Sequence, residues 1–147
     1  MIVVGGNGGS NYRNLATELY TVDSDTWQYV GNYPYASSSL SYMKTIWFSD
    51  SFYAFGGSTN YNDAYINRFD PITNNWSRAG SLNHGRYKHN IIEMNNQIYV
   101  FGGSGTYNTE KCSFDMNAFT CKSQQPSVPS YHSGLALFIV ADNYCES

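Results

Sequence analysis

Three histidines are the side chains of this sequence that most readily act as catalytic bases or metal ligands. His84 and His89 lie just before and at the start of a predicted strand, and His132 occupies a similar place later in the chain. No serine-nucleophile elbow, phosphate-binding loop or His-Glu-x-x-His motif accompanies them. We therefore interpret the histidines as polar residues near the starts of strands rather than as a catalytic centre.

The cysteines carry the second kind of chemistry. Cys112 and Cys121 flank a predicted turn at Asp115, and this spacing could place them opposite each other in a hairpin. The same spacing also fits two unpaired small hydrophobic side chains. In a chain with that disulfide, Cys145 is left as a free thiol or as a link to another chain. No Cys-x-x-Cys motif is present to complete a ligand set with the histidines, so no metal is expected.

A glycine-rich stretch from Gly5 to Gly9 resembles a nucleotide-binding loop only superficially. It follows a predicted strand but leads into Ser10 and Asn11 rather than opening a helix, whose N-terminus would bind phosphate. The sequence therefore predicts no cofactor and no enzymatic activity.

Composition excludes two further classes of function. Among 147 residues only 13% are charged, and 8 Lys and Arg stand against 11 Asp and Glu, for a net charge of −3. Nucleic-acid binding is not expected, because there is no excess of basic residues to neutralise phosphates. No apolar run reaches the roughly 18 residues of a membrane helix. Aromatic residues at 17%, with 14 Tyr and 13 Gly, favour strands and turns over helices.

A pattern that ends in a double glycine occurs three times. Ile2-Val-Val-Gly-Gly6 returns as Phe52-Tyr-Ala-Phe-Gly-Gly57 and as Ile98-Tyr-Val-Phe-Gly-Gly103. After each copy come a polar loop, a short strand that ends at Asp, and a tight turn. The copies are spaced 51 and 46 residues apart, and repetition at this spacing indicates a repeat architecture.

A large aromatic residue follows each of these turns, at Trp27, Trp76 and Phe119. We predict that the two tryptophans are wedges buried between adjacent sheets. Glycine pairs at strand ends would let a neighbouring backbone approach closely.

Each repeat is predicted to form four short antiparallel strands. Asn, Asp and Ser pairs between the strands suit hairpin turns. The predicted strands of the second and third repeats are 39–48, 52–56, 64–70 and 75–79, then 88–94, 97–102, 110–114 and 119–122.

The double glycine, the Tyr-containing strand that ends in Asp, and the following Trp resemble the kelch repeat, the unit of one class of β-propeller. The third repeat departs from this pattern by having Phe119 in place of Trp. The resemblance implies an all-β fold, a kelch-type β-propeller segment of about three four-stranded blades in an incomplete ring. Residues 1–30 would supply strands two to four of a blade, 31–79 and 80–122 two complete blades, and 123–147 a linker and a first strand.

Three blades are too few for a closed propeller, which has about four to eight. One explanation is that the sequence is a fragment of a longer propeller. The other is a homodimer in which each C-terminal strand completes the partner's N-terminal blade and gives a six-bladed ring.

The resemblance implies a non-catalytic module that binds a protein or peptide through loops on one face of the propeller. Kelch domains usually build that face from residues after the double glycine and before the innermost strand. On this basis Arg86→Ala with Tyr87→Ala is expected to weaken partner binding and leave the fold intact. The predicted partner-binding residues are Asn7, Tyr12, Arg13, Ser58, Asn60, Tyr61, Arg86, Tyr87, Ser104 and Tyr107.

An alternative is a fragment of a secreted kelch-type propeller with an oxidase or carbohydrate-binding role. Such oxidases hold copper with Tyr, His and a modified Cys, but nothing in the spacing of those residues here supports that site. The chain shows no secretory signal, so it would be cytoplasmic if complete and extracellular if truncated at its N-terminus. Asn75-Trp-Ser77 is a glycosylation sequon, which would matter only in the second case.

Overall fold

The computed structural model describes residues 1–6, 14–35, 40–57, 63–104, 106–125 and 127. These residues form β-strands, turns and loops and contain no helix, so none of them forms a helix that could cross a membrane. The prediction of an all-β chain is confirmed. The strands are β1 (Ile2–Val4), β2 (Ala16–Thr21), β3 (Thr26–Asn32), β4 (Lys44–Phe48), β5 (Ser51–Phe55), β6 (Tyr65–Asp70), β7 (Asn75–Ser81), β8 (Asn90–Met94), β9 (Gln97–Phe101), β10 (Thr109–Asp115) and β11 (Ala118–Gln124).

The strands fall into three antiparallel units that follow the chain. Unit one is β1-β2-β3, unit two is β4-β5-β6-β7, and unit three is β8-β9-β10-β11. The last strands of units two and three touch through a short parallel contact, in which Phe119 lies opposite Gly80. A Cβ atom on Gly80 would lie 2.6 Å from the carbonyl oxygen of Phe119, so glycine is required for this approach.

Units two and three enclose the main hydrophobic core. Phe119 of unit three is 5% exposed, and its ring packs edge-on against Tyr53 and Phe55 of unit two at 5.0 and 5.3 Å. Both of these partner rings are fully buried. The buried core residues are Phe48, Tyr53, Phe55, Ile66, Ala79, Leu82, Ile98, Val100, Cys112, Phe119 and Cys121.

Trp76 lies between units one and two, as predicted, although it is half-buried rather than buried. Its ring packs against Tyr33 at 4.9 Å, and its indole N–H donates to the Thr17 hydroxyl at 3.0 Å. The same prediction is wrong for Trp27, which is 51% exposed. Trp27 contacts Tyr20 of its own unit, but no described unit precedes unit one to cover it.

The innermost strands of units two and three, β4 and β8, begin at Lys44 and Asn90 and so start later than the predicted 39 and 88. Tyr42 and Lys88 have φ angles of 59° and 55°, and this left-handed conformation interrupts the extended backbone. The backbone N–H of Lys88 donates to the Tyr42 carbonyl at 3.2 Å, which links the two units just before their innermost strands.

Cys112 and Cys121 lie directly opposite each other in the β10–β11 pair and form a disulfide. The bridge therefore closes the hairpin of unit three, and both cysteines belong to the core between units two and three.

Reduction of this disulfide is expected to lower the free energy of unfolding by about 2–3 kcal/mol, because the reduced unfolded chain gains loop-closure entropy. Urea unfolding of the oxidised and reduced chain measures the difference. A variant with Cys112→Ala and Cys121→Ala is the control, since dithiothreitol should not change its midpoint. Equal midpoints for the oxidised and reduced wild type would contradict a stabilising bridge.

Candidate functional site

Several connecting loops meet at one end of units two and three, which we call the loop end. It comprises residues 40–43 before β4, 82–89 between β7 and β8, and 102–108 between β9 and β10, residue 105 excepted. The opposite end carries the hairpin turns after Asp70 and Asp115.

The double glycines bring these loops together. A Cβ atom on Gly56 would lie 2.5 Å from the Arg86 carbonyl oxygen, which belongs to the loop leading into the next unit. A Cβ atom on Gly103 would lie 2.8 Å from the Tyr87 carbonyl oxygen, in the loop before the innermost strand of its own unit. The predicted close approach of neighbouring backbone at the glycine pairs is confirmed at these positions.

Arg86 lies beneath the loop end rather than on its surface. Its side chain is fully buried, and its guanidinium donates to the Glu110 carboxylate at 2.5 Å. The same guanidinium donates to the carbonyl oxygens of Gly102 at 3.0 Å, Asn108 at 2.7 Å and His84 at 3.3 Å. It therefore ties both connecting loops of unit three to strand β10.

Glu110, on strand β10, is the acceptor at the centre of this network. It is fully buried and accepts the backbone N–H groups of Asn83 at 2.6 Å and His84 at 3.1 Å. Burial lowers the pKa of Arg86, and the Glu110 carboxylate acts in the opposite direction. The guanidinium has no exposed face, so Arg86 positions the loop instead of touching a partner. The expectation that Arg86→Ala leaves the fold intact does not fit a buried ion pair.

Two tyrosines and a lysine form a cluster on the surface of the loop end. The rings of Tyr42 and Tyr87 lie 6.0 Å apart, and the Lys88 ammonium lies 4.8 Å from the first ring centroid and 5.8 Å from the second. Tyr42 is 51% exposed, whereas Tyr87 and Lys88 are half-buried. The cluster joins units two and three and presents two aromatic faces with a cation.

The neighbouring loop of unit three extends this surface. The Ser104 N–H donates to the Tyr87 carbonyl at 2.8 Å, which anchors the loop beside the cluster. Further along the same loop, Tyr107 is 57% exposed. The exposed His84 ring approaches the Asn108 side-chain amide at 3.4 Å and the Glu110 carboxylate at 3.5 Å.

Of the ten predicted partner-binding residues, the structure describes four. Tyr87, Ser104 and Tyr107 lie at the loop end, and Arg86 lies beneath it. The other six lie outside the described residues: Asn7, Tyr12, Arg13, Ser58, Asn60 and Tyr61.

Sequence reasoning missed Tyr42 and Lys88, although a signal for them was present. Each residue stands seven positions before the two-residue turn that follows its innermost strand, at Ser49 and Asn95 respectively. Counting back from those turns aligns Tyr42 with Lys88, and both have the same unusual φ.

His89 is buried at the start of unit three, next to this network. Its side chain is fully buried, and neither imidazole nitrogen has a hydrogen-bond partner among the described residues. Burial, with the positive charges of Arg86 and Lys44, lowers the pKa of His89 from 6.5 to about 3. The imidazole is therefore neutral near pH 7. Within the described part of the chain, no three His, Cys, Asp or Glu side chains are grouped as metal ligands would be.

Comparison with known proteins finds similarity to several Kelch-like proteins. No protein-family model matches the chain. It is 26% identical to human Kelch-like protein 15 over 103 residues, and 25% identical to Kelch-like protein 25 of Xenopus tropicalis over 112 residues. These matches cover 60% and 76% of the chain. Kelch repeat and BTB domain-containing protein 12 of Danio rerio is 26% identical over 100 residues, or 61% of the chain.

The matches cover 17%, 18% and 16% of those relatives, so the chain spans less than a fifth of their length. The similarity to Kelch-like proteins agrees with the repeated double glycines of the sequence and with the antiparallel units of the structure. The predicted resemblance to kelch-repeat proteins is thereby confirmed at the level of sequence similarity, and the all-β structure is consistent with a segment of a kelch-type β-propeller.

Proposed function

We propose that this chain is a non-catalytic module that binds a protein or peptide through its loop end. The observation that carries the proposal is the surface cluster of Tyr42, Tyr87 and Lys88. Tyrosine offers a large contact area and a hydroxyl at a low cost in side-chain entropy, which is why it is enriched in recognition surfaces.

The network beneath the cluster supports this proposal. Arg86 and Glu110 hold the two loops of unit three from inside, so Tyr87 and Ser104 do not have to be ordered when a partner binds. A preorganised surface loses less entropy on binding and therefore binds more tightly for the same contacts. The names of the relatives fit a module of this class, since all of them are kelch proteins and one also has a BTB domain.

The proposed surface includes Tyr107 at the far end of the loop, and the six predicted residues outside the described part of the chain remain part of the hypothesis. With Arg86 buried, Lys88 is the described cation of the cluster. A carboxylate on the partner would pair with the Lys88 ammonium, and the ammonium would then lose some of its contact with the Tyr42 and Tyr87 rings.

Replacing Tyr87 and Lys88 together by Ala is expected to weaken partner binding at least about tenfold, because aromatic and cationic anchors often contribute 1–2 kcal/mol or more. Peptides would be selected from a random display library on the immobilised wild-type chain. The affinity of an enriched peptide would then be measured by titration calorimetry for the wild type and the variant. Circular dichroism checks that the variant is folded.

Ile72→Ala with Met116→Ala is the matched control. These side chains are 91% and 90% exposed and lie on hairpin turns at the opposite end of the units. The control is expected to bind the peptide as the wild type does. Equal affinity of the Tyr87 and Lys88 variant, or a loss in the control alone, would place the binding surface elsewhere.

A homodimer that completes a six-bladed ring is a second part of the proposal. The exposed Trp27 favours it, because the equivalent Trp76 and Phe119 are each packed against the preceding unit. Two copies of three units also give a number of blades within the usual range for closed propellers.

A further inference from the structure

At both interfaces between the units of this chain, the aromatic residue after the tight turn of one unit packs against the preceding unit. Phe119 of unit three packs on Tyr53 and Phe55 of unit two, and Trp76 of unit two packs on Tyr33 of unit one. Each unit thus has a front face, which carries the aromatic residue after the tight turn, and a back face, which receives that residue from the next unit.

Among the described residues, no other unit covers the front face of unit one. By register, Val3 lies opposite Glu18, and Trp27 lies opposite Tyr20, on the side of the sheet away from unit two. Trp27, Tyr29 and Val3 are 51%, 59% and 40% exposed. Such a set of neighbouring exposed aromatic and aliphatic groups is characteristic of an interaction surface.

The back face of unit three is less buried than that of unit two. In β5 of unit two every residue is buried, because both faces of that strand are covered. In β9 of unit three, burial alternates: Ile98 and Val100 face unit two and are fully buried, whereas Tyr99 and Phe101 are half-buried.

Tyr99 and Phe101 occupy the positions of Tyr53 and Phe55, three residues and one residue before the double glycine. Their rings are stacked, with centroids 6.4 Å apart, and the Lys111 ammonium lies 5.8 Å from the Tyr99 ring. Where Tyr53 and Phe55 receive Phe119, the back face of unit three offers the same kind of aromatic surface.

We propose that two copies of this chain pair head to tail, with Trp27 on the front face of one copy packed against Tyr99 and Phe101 on the back face of the other. The two faces match because they repeat the front and back faces that already mate inside the chain. A two-fold axis then makes two equal contacts and closes the ring, which removes both open faces at once.

Unit one offers a second feature that a second copy would protect. Among the described residues β1 pairs with β2 alone, so one edge of the sheet is open to further pairing. A Cβ atom on Gly6 would have nothing within 4 Å, whereas those on the equivalent Gly57 and Gly103 would meet the strand segment before β4 or β8. The C-terminal strand and turn that the sequence predicts for this edge, residues 135–144, lie outside the described residues.

The inference rests on the proposed homodimer but not on partner binding at the loop end. Light scattering and sedimentation of the purified chain are expected to give about twice the chain mass of 16.5 kDa at micromolar concentration. Trp27→Glu and Tyr99→Glu are each expected to be monomeric, since each substitution removes an aromatic ring from the contact and would desolvate a carboxylate there. Trp47→Glu is the control. Trp47 is also exposed, at 60%, but it lies on β4 of unit two and so on neither the front face of unit one nor the back face of unit three. This variant is expected to stay dimeric.

A mixture of the two monomeric variants decides whether the contact is head to tail. The Trp27→Glu chain keeps an intact back face and the Tyr99→Glu chain an intact front face, so a 1:1 mixture should recover dimers through one native contact. Monomeric wild type at every concentration would overturn the pairing itself. Dimeric wild type with dimeric Trp27→Glu and Tyr99→Glu would overturn the choice of faces, and monomeric variants that do not complement would overturn the head-to-tail arrangement.

Discussion

Replacing Arg86 by Met is expected to lower the free energy of unfolding by about 3–5 kcal/mol, because it leaves the fully buried Glu110 carboxylate without its counter-ion. Methionine fills a comparable volume, so the loss reports the charge and the hydrogen bonds rather than a cavity. Four acceptors lose their donor, namely Glu110 and the carbonyl oxygens of Gly102, Asn108 and His84. Urea unfolding at neutral pH measures the change.

Two variants serve as controls for this result. Arg78→Met removes an exposed guanidinium that lies over the Tyr65 ring, and it is expected to cost less than about 1 kcal/mol. Adding Glu110→Gln to Arg86→Met is expected to recover part of the loss, because the amide keeps an acceptor for the Asn83 N–H without a buried charge. If Arg86→Met costs no more than Arg78→Met, the ion pair does not hold the loop end.

The strands and their order could be predicted from the sequence because their signals are local. Alternating side chains, double glycines and two-residue turns each act within a few positions of the chain. The repeat then extended these signals from one unit to the next. Even the pairing of Cys112 with Cys121 was within reach, since the hairpin turn between them places them on neighbouring strands.

The role of Arg86 could not be predicted in this way. Its counter-ion Glu110 is 24 residues away in the chain, and nothing between them indicates that β10 returns beneath the loop before β8. The repeat fixes the position of a residue along the chain, but only the packing decides whether its side chain points outward or inward. Because the Arg86 guanidinium is buried, the cation of the proposed surface is Lys88 rather than Arg86.

Trp27 and Trp76 show the same limit at the level of packing. Both follow a strand that ends in Asp and a tight turn, and the local pattern treats them alike. Trp76 finds Tyr33 and Thr17 of unit one, whereas no described unit stands before unit one to cover Trp27. Burial of a repeat residue depends on its neighbouring unit, which the local sequence does not contain.

Stability is expected to fall by about 2 kcal/mol between pH 7 and pH 5 through His89 alone. Its pKa is about 3 in the folded chain and 6.5 in the unfolded chain, so between these values only the unfolded chain binds the proton. The contribution of the neutral imidazole is complete above pH 6.5 and is lost progressively as the pH falls toward 3. Burial is the main cause, and the neighbouring Arg86 and Lys44 add to it because both are positive.

Urea unfolding of wild type and His89→Gln at both pH values isolates this effect, since glutamine stays neutral throughout. The difference in unfolding free energy between the two chains is expected to shift by about 2 kcal/mol in favour of the variant on going from pH 7 to pH 5. The carboxyl of Asp63, whose pKa is raised by burial, is present in both chains and cancels in this difference. A pH dependence that persists unchanged in His89→Gln would mean that the buried imidazole accepts a proton in the folded chain, and that the packing around the loop end is looser than its buried side chains indicate.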